Sequence, residues 1–516
     1  MAIVVSHIAD DFETLARRAL RQVPLCDLIE LRLDRIAHPG KERIEEFCRA
    51  AKKPVIIACN GPEAFGTFQG SKDELFQLYH DAAQAGARFV DIDYRLSLEL
   101  GEVEAPCHRI VSRHVLEGTP EDLDACHEEI QEVLYEGDVT KLVTHADSCE
   151  DGLRLLAWLR GTKGIVSFCS GAAGSFTRVL APIFGSPFTY CAPADIPDEG
   201  GAVVERTAPG QLRVNDLLAI LPPGGVSQET AVLGVVGNPI GRSYSPWVHG
   251  MALKAAKLDA VYVAFEPSSF DAFVALTSDG NYRGFSITAP FKEDAYRSST
   301  DRDAASEKTG AVNTFFRDGE RWRAANTDVA GVRETLERAL EIHSQKPGVP
   351  GSVAAVHALV LGSGGAARAA AWAVRSLDGR VTVAARRKER ADAVAAELDC
   401  EAVEWSAIPS VEYDVLIHTT PIGSLASTNN CADTEGLVVP AEWIRPGSLV
   451  FDAVYRPIRT PLLALAHEKG CTAVPGGEWF CRQAALQFRL FTQCEPDEEL
   501  MRQAFEHADE SARSGR

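Results

Sequence analysis

Eight short apolar runs in the first 220 residues, most of them separated by longer amphipathic stretches, restrict this chain more than any other feature. They read MAIVVSHI, DLIELRLD, PVIIACN, FVDIDYR, HRIVSRHV, VTKLVTHA, GIVSFCS and TYCAPAD. Each has strand length, and stretches such as EDLDACHEEIQEVLYEG and SCEDGLRLLAWLRG carry a helical period between them. Only the fourth connection, LSLELGEVEAP, is poor helix material. Eight strands joined by crossover helices predict an α/β fold that opens with a TIM-type (β/α)8 barrel; an open doubly wound sheet is the alternative.

The Pro/Gly-rich LPPGGVSQET at 221–230 ends this region. Alternation restarts at AVLGVVGNPIG, and a second break, SQKPGVPGSV, precedes a further strand. The expected layout is a barrel over 1–222, a first lobe over 230–340, a Rossmann-like nucleotide-binding lobe over 341–475, and C-terminal helices over 476–516 that return to the first lobe. A chain of 516 residues has room for this. The formal charge of −21 argues against a nucleic-acid or anionic-membrane surface. Thirteen cysteines without a C-x-x-C pair or His/Cys cluster point to free thiols in a reducing compartment, with no metal site. No apolar run reaches membrane-span length, and the N-terminus MAIVVSHIADDFETLARR is unlike a signal or transit peptide. A cytoplasmic protein with small-molecule ligands is expected.

The stretch LVLGSGGAARAAAW, 359–372, joins a strand to a helix through a glycine run, the context a dinucleotide loop requires. Gly362 permits the tight turn, Gly364 lets backbone approach a pyrophosphate, and Gly365 and Ala366 keep the helix entry small. The new helix offers free N–H groups and its positive end to phosphate. The next strand, RVTVAARRKER, selects the cofactor. In place of the acid that bonds the NAD ribose, it ends in Ala384 and Ala385, followed by Arg386, Arg387 and Lys388. Such cations suit a 2′-phosphate, hence NADP.

Between the two breaks, four stretches are unusually polar. GRSYSP sets Ser243 and Ser245 on alternate positions, so both hydroxyls point one way if the backbone is extended. GFSITAPFK ends an apolar strand in Thr288, Pro290 and Lys292; GAVNTFF and AANTDVAG supply Asn313, Asn326, Thr327 and Asp328. The inventory suits a polyol ring and a proton-transfer pair, though each stretch alone reads equally as a turn or cap.

The order of these stretches resembles the shikimate dehydrogenase family, with its Ser-x-Ser-x-Pro loop, NVTxPxK strand, GAxNT, NTD and GxGGAAR. The resemblance runs from about Ala231 to about Phe491 and continues in DAVYRPIRTPLL and GGEWFCRQA. Ser286 stands where the family usually has Asn, and Trp479 where it often has Met. The resemblance implies Lys292 as general acid/base and Asp328 as the residue that orients it and bonds a ring hydroxyl. It implies Ser243 and Ser245 on the substrate carboxylate, and Thr288, Asn313, Tyr455 and Gln483 on the ring. It also places Gly362, Gly364, Gly365, Ala366, Ala385, Arg386, Arg387, Ala453 and Gly476 at the cofactor.

In the barrel region, Glu30 and Arg32 share one strand face, His114 closes a strand, and Lys141 stands among apolar residues. Arg178 and Gln211 fall in loop-like settings. A lysine inside a barrel is costly unless paired or functional. A desolvated lysine forms Schiff bases readily, and a neighbouring histidine shuttles protons. An outward-facing Lys141 with a satisfied core His114 is the plainer reading of the spacing. The segments resemble type I 3-dehydroquinate dehydratase over about 1–220. That resemblance implies Lys141 as Schiff-base lysine and His114 as general acid/base. It implies Ser6, Glu30, Arg32, Arg178, Thr207 and Gln211 as substrate-binding, with Thr207 in the place of a Ser. One segment departs. IIACNGPEAFG has Asn60 where the family usually has Arg, and Ala64-Phe65-Gly66 where it has Glu-Gly-Gly, with Glu63 one position early. The two resemblances together imply dehydration of 3-dehydroquinate followed by NADPH reduction of the product. The alternatives are a dehydrogenase with a ligand-binding, non-catalytic barrel, and a quinate-oxidising enzyme.

Overall fold

The computed structural model describes residues 1–162, 164–196, 204–241, 243–278, 280–344, 352–424 and 436–513. Most of the second break, SQKPGVPGSV, lies outside them. By contacts the chain forms two units, Met1–Val232 with Asp259–Tyr282, and Leu233–Leu258 with Arg283–Arg516.

All eight predicted strands of the first unit form: β1 (Ala2–Ile8), β2 (Leu28–Arg32), β3 (Val55–Ala58), β4 (Phe89–Asp93), β5 (His108–His114), β6 (Val139–His145), β7 (Ile165–Ser170) and β8 (Phe188–Cys191). They pair in the order β7-β6-β5-β4-β3-β2-β1-β8, all parallel. Placing β8 beside β1 curls the sheet into a barrel and excludes the doubly wound alternative, whose order would reverse. The last seam, between β7 and β8, carries no ladder among the described residues. It is bridged by Ser186, whose hydroxyl accepts the Ser167 N–H at 3.3 Å and donates to the Phe188 carbonyl at 2.8 Å. The Phe168 and Tyr190 rings, 5.6 Å apart, close it from within. The weak fourth connection yields only the short helix Ser97–Leu100.

The segment Asp259–Tyr282, with β10 (Ala260–Phe265) and the helix Phe270–Thr277, groups with the barrel for visible reasons. Glu150 accepts the Ser268 and Ser269 N–H groups at 2.8 and 3.0 Å, and the Phe176 and Phe265 rings meet at 5.1 Å.

The second unit contains two sheets. In one, β9 (Ala231–Val236), β11 (Tyr282–Ile287), β12 (Thr314–Asp318) and β13 (Arg321–Ala325) lie in that order, with β11–β12 and β12–β13 antiparallel. The other is parallel. Its strands are β14 (His357–Leu361), β15 (Arg380–Ala384), β16 (Glu401–Val403), β17 (Val415–His418), β18 (Leu449–Asp452) and β19 (Thr472–Pro475), in the order β16-β15-β14-β17-β18-β19. That is the 3-2-1-4-5-6 order of a Rossmann fold, with its switch point between β14 and β17. Alternation along β14 sends Val360 to one core, with Ala370, Val374 and Leu336, and Leu359 and Leu361 to the other, with Leu416 and Leu462. Alanines at 367, 369, 370, 371 and 373 let the helix Gly365–Arg375 lie close to the sheet. No helix of the described residues is long and apolar enough to cross a membrane.

Candidate active sites

Lys141 points into the barrel and is 4% exposed, so the outward-facing reading fails. Its ammonium lies 2.6 Å from Asp91 Oδ2 on β4 and 4.6 Å from the centre of the Tyr190 ring. β5 separates β4 from β6; the register Asp93↔Ser112 and Ser112↔Lys141 places Asp91 two residues before the level of Lys141, on the strand face that Asp93 shares. Burial acts to raise the Asp91 carboxyl, but the Lys141 ammonium overcomes it and holds it below the ordinary carboxylate range. His114 is pushed down to about 3, by burial first and by the Lys141 charge second, so it stays neutral. Burial likewise raises Glu30, against the pull of Lys141 and Arg32.

Around this centre the polar groups interlock. Ser6 donates to Glu30, Thr207 donates to Ser6 at 2.9 Å, and Gln211 accepts the Thr207 N–H at 3.1 Å. The two arginines differ. Arg32 holds Asp34 through two bonds of 2.9 Å. Arg178 sits in the short helix Thr177–Leu180, not the loop expected, because Gly174 and Thr177 start a turn there. It stacks 4.3 Å over Phe168 and donates to the Tyr190 carbonyl, with no carboxylate at ion-pair distance among the described residues. Burial lowers it to about 10. A buried guanidinium so placed suits an anionic ligand.

Lys141, His114, Glu30, Arg32, Arg178, Thr207 and Gln211 line a cavity of about 40 Å³. Phe65 helps cover it, at φ +57°, with its ring edge-on to His114. Asn60 and Ala64 also line it, whereas Glu63 is exposed and lines a neighbouring pocket with Asp93 and Ser112. Glu63 therefore does not reach His114 from its early position.

In the second unit, Lys292 opens the helix Lys292–Ser298 and its ammonium lies 2.5 Å from Asp328 Oδ2. Asp328 stands in the first turn of the helix Thr327–His343, capped by Asn326, whose side chain accepts the Asp328 N–H at 3.1 Å. Asn313 accepts the Thr327 N–H at 2.8 Å and donates to Thr327 Oγ1 at 2.9 Å, which ties the acid's helix to the entry of β12. A cavity of about 440 Å³ is lined by Lys292, Asp328, Ser243, Ser245, Thr288, Asn313, Tyr455 and Gln483. The extended backbone expected at Ser243–Ser245 does not occur. Pro246 favours a helix start, Tyr244 is helical, and Ser243 Oγ accepts the Ser245 N–H at 3.2 Å.

The cofactor segments meet this cavity at Ala366, Ala453 and Gly476. Gly362 has φ +133°, and a Cβ there would lie 2.3 Å from Thr419 Oγ1. A Cβ at Gly364 would enter open space, and one at Gly365 would lie 3.1 Å from the Lys292 stem. A Cβ at Gly476 would strike the Ala453 carbonyl at 2.6 Å. Ala385 is buried, and Arg386 and Arg387 are exposed without a partner among the described residues, while Lys388 is tied to Asp392. A bare helix start beside two uncommitted guanidinium groups fits a phosphorylated dinucleotide.

Residues 3–224 match the type I 3-dehydroquinase family, residues 235–315 the shikimate dehydrogenase substrate binding domain, and residues 480–504 the shikimate 5'-dehydrogenase C-terminal domain. The shikimate dehydrogenase (NADP(+)) of Halobacterium salinarum is 36% identical over 277 residues, 53% of this chain and 97% of that protein. The chain is a fusion of the type I 3-dehydroquinase and shikimate dehydrogenase families. The chloroplastic bifunctional 3-dehydroquinate dehydratase/shikimate dehydrogenase of Arabidopsis thaliana is 29% identical over 494 residues, 92% of this chain and 79% of that protein. A solved structure of dehydroquinate dehydratase and shikimate dehydrogenase from S. pombe AroM is 23% identical, with 98% of each chain covered and a TM-score of 0.42.

The sequence reading missed Asp91 in the dehydroquinase part, and His418, Thr420 and Gln487 in the dehydrogenase part. Asp91 had a signal: FVDIDYR puts two acids on one face of a barrel strand. His418 ends the apolar run VLIH, as His114 ends IVSRH. Gln487 gave none, since a glutamine on an amphipathic helix reads as surface, yet it is buried and takes the Ser286 hydroxyl at 2.7 Å.

Proposed function

We propose that the two parts perform consecutive reactions, dehydration of 3-dehydroquinate in the barrel and reduction of the resulting ketone to shikimate in the second unit. The observation that carries this reading is a lysine–carboxylate pair in each unit, Lys141–Asp91 buried and Lys292–Asp328 half-buried, with each lysine lining a cavity of matching polar inventory.

In the barrel, Lys141 passes a proton to Asp91 and adds as the neutral amine to the substrate ketone; the proton returns as the adduct loses water, which leaves a protonated imine. His114, held neutral, takes the proton from the carbon alpha to the imine. It returns that proton to the departing hydroxyl, which leaves as water, and hydrolysis of the imine frees Lys141 and the enone product. Arg178 takes the carboxylate, and Glu30, Arg32, Ser6, Thr207 and Gln211 hold the ring hydroxyls. Asp91 keeps the lysine in register with His114.

In the dehydrogenase part, bound NADPH supplies a hydride. Gly362, Gly364, Gly365, Ala366 and Ala385 form its cradle, Arg386 and Arg387 meet its 2′-phosphate, and Ala453 and Gly476 wall its reactive end. Lys292 gives a proton to the carbonyl oxygen as the carbon is reduced, and Asp328 orients Lys292 and bonds the adjacent hydroxyl. Ser243 and Ser245 hold the carboxylate; Thr288, Asn313, Tyr455 and Gln483 face the ring. The divisions at 222, 340 and 475 and a cytoplasmic setting complete the reading.

The test is NADPH oxidation started from either substrate. Wild type should consume NADPH from 3-dehydroquinate and from 3-dehydroshikimate; Lys141→Ala should keep only the second, and Lys292→Ala should lose both. Borohydride should trap an adduct on Lys141. If Lys141→Ala still consumes NADPH from 3-dehydroquinate, the barrel is not the dehydratase.

A further inference from the structure

Alternation along β6 puts Lys141, Val143 and His145 on one face of the strand. Lys141 and Val143 line the barrel cavity, and His145 ends the strand, half-buried. The register His145↔Ser170 sets the end of β7 beside it, and the ring Nδ1 lies 3.0 Å from Ser170 Oγ. Ser170 is fully buried and lines the same cavity as Lys141 and Arg178. The other edge of the imidazole, Nε2, faces the exposed Asp147 at 3.6 Å. The ring has been given room: Gly171 follows Ser170 with φ +88°, and a Cβ there would lie 2.8 Å from His145 Cε1. The backbone of His145 is pinned as well, its N–H donating to the Gly118 carbonyl at 3.3 Å and its carbonyl accepting the Thr119 hydroxyl at 2.8 Å. Neither Ser170 nor His145 has a part in the reactions described above.

Ser170 adjoins the place proposed for the substrate carboxylate. Phe168, two residues earlier on the same strand face, carries the Arg178 guanidinium 4.3 Å above its ring. A carboxylate offers about four lone-pair positions, and Arg178 also serves the Tyr190 carbonyl, so a second donor has a place beside it. Ser170 has one proton to give. The Thr144 carbonyl lies within its reach at 3.2 Å, and so does His145. A carboxylate in the cavity is a stronger acceptor than either. The hydroxyl can turn to it while His145 supplies an N–H to the serine oxygen. An imidazole whose far edge faces Asp147 can carry its proton on either nitrogen, so the tautomer follows the ligand and no fixed starting state is needed.

We infer that Ser170 is a second donor to the substrate carboxylate, beside Arg178, and that His145 is the positioning residue that turns its hydroxyl toward the cavity. The pair recognises an anion without a second buried cation. The inference rests on the dehydratase reading above and deepens it by naming two further residues at the anionic end of the substrate.

The experiment measures kcat and KM for dehydration of 3-dehydroquinate, and competition against it by the hydroxymethyl analogue, in which CH2OH replaces the carboxylate. Ser170→Ala should raise KM about tenfold, the worth of one hydrogen bond to a charged group, with kcat little changed and the inhibition constant of the analogue unaltered. His145→Ala should give the same selective loss. His145→Asn, whose amide N–H takes the place of Nδ1, should recover it. The double variant Ser170→Ala with His145→Ala should be no worse than Ser170→Ala alone, because the two act through one bond. The inference is overturned if Ser170→Ala leaves KM intact, if it weakens acid and analogue equally, if the two losses add, or if His145→Asn behaves as His145→Ala. A wild-type chain that does not dehydrate 3-dehydroquinate, or an Arg178→Met variant with unaltered KM, would instead remove the reading beneath, and this inference with it.

Discussion

Lys141 Nζ stands 2.6 Å from Asp91 Oδ2, and both side chains are all but excluded from solvent. Two buried charges of opposite sign gain from each other mainly by being present together; removal of one leaves the other uncompensated, at about 3–5 kcal/mol. Asp91→Asn should therefore lower the unfolding midpoint in urea and cut dehydratase turnover at least tenfold, while Asp91→Asn with Lys141→Met should recover stability but not activity. Equal stability of single and double variants would remove the pairing argument.

Arg178 presents the reverse case. Its guanidinium is buried without a carboxylate partner among the described residues and has its pKa lowered to about 10 by burial. Arg178→Met should leave the protein as stable or more so, and raise KM for 3-dehydroquinate by about two orders of magnitude, the loss of a charge-assisted bidentate contact. Chemical denaturation and steady-state rates on the same preparation check both halves.

Phe65 occupies a left-handed backbone position, φ +57°, and lays its ring against His114. An L side chain there costs roughly 1–2 kcal/mol relative to glycine. Phe65→Gly should raise kcat/KM for dehydration by widening the mouth of the small cavity, with dehydrogenase rates unaltered. A fall in kcat/KM would make the ring part of the binding surface instead.

Arg386 and Arg387 are exposed and uncommitted among the described residues. Arg386→Ala with Arg387→Ala should raise KM for NADPH about tenfold or more and leave KM for NADH where it was, since only the former carries the phosphate.

Stability should be acid-sensitive. His7 and His249 are buried and His114 half-buried, and all three are pushed down from 6.5 to about 3, mainly by desolvation. Between these values the unfolded chain binds protons that the native chain refuses, so stability is complete above 6.5 and declines as pH falls toward 3. Each group contributes a slope of roughly 1 kcal/mol per pH unit in that window. Urea midpoints at pH 7, 6 and 5 should fall in that order, and His7→Gln should flatten the decline.

The eight barrel strands were legible because runs such as PVIIACN are apolar throughout, as strands covered on both faces must be. The same property hid the direction of Lys141. In a strand apolar on both sides, alternation does not say which side is the interior, and only the neighbour on β4 decides it. The glycine run was readable down to Gly362, because a strand followed by a positive φ has few other solutions. The serine loop misled for a local reason: Ser-x-Ser looks extended until Pro246, in the first turn, favours the helix Ser245–Ala255. The bonds from His418 to Asp452 and Thr420 join residues up to 34 apart through strand register, which no local pattern displays.

The seam between β7 and β8 is held by the hydroxyl of Ser186 in place of a ladder. Elsewhere the cylinder is joined by ladders; this join rests on one hydroxyl and on the contact between the Phe168 and Tyr190 rings. β7 leads to Ser170 and β8 carries Tyr190, two walls of the lysine cavity. Widening there would enlarge the chamber around Lys141 without disturbing the strands that carry Asp91, His114 and the lysine itself. Among the described residues, β4, β5 and β6, which carry the acid, the histidine and the lysine, are laddered on both sides, and the join between β7 and β8 is not.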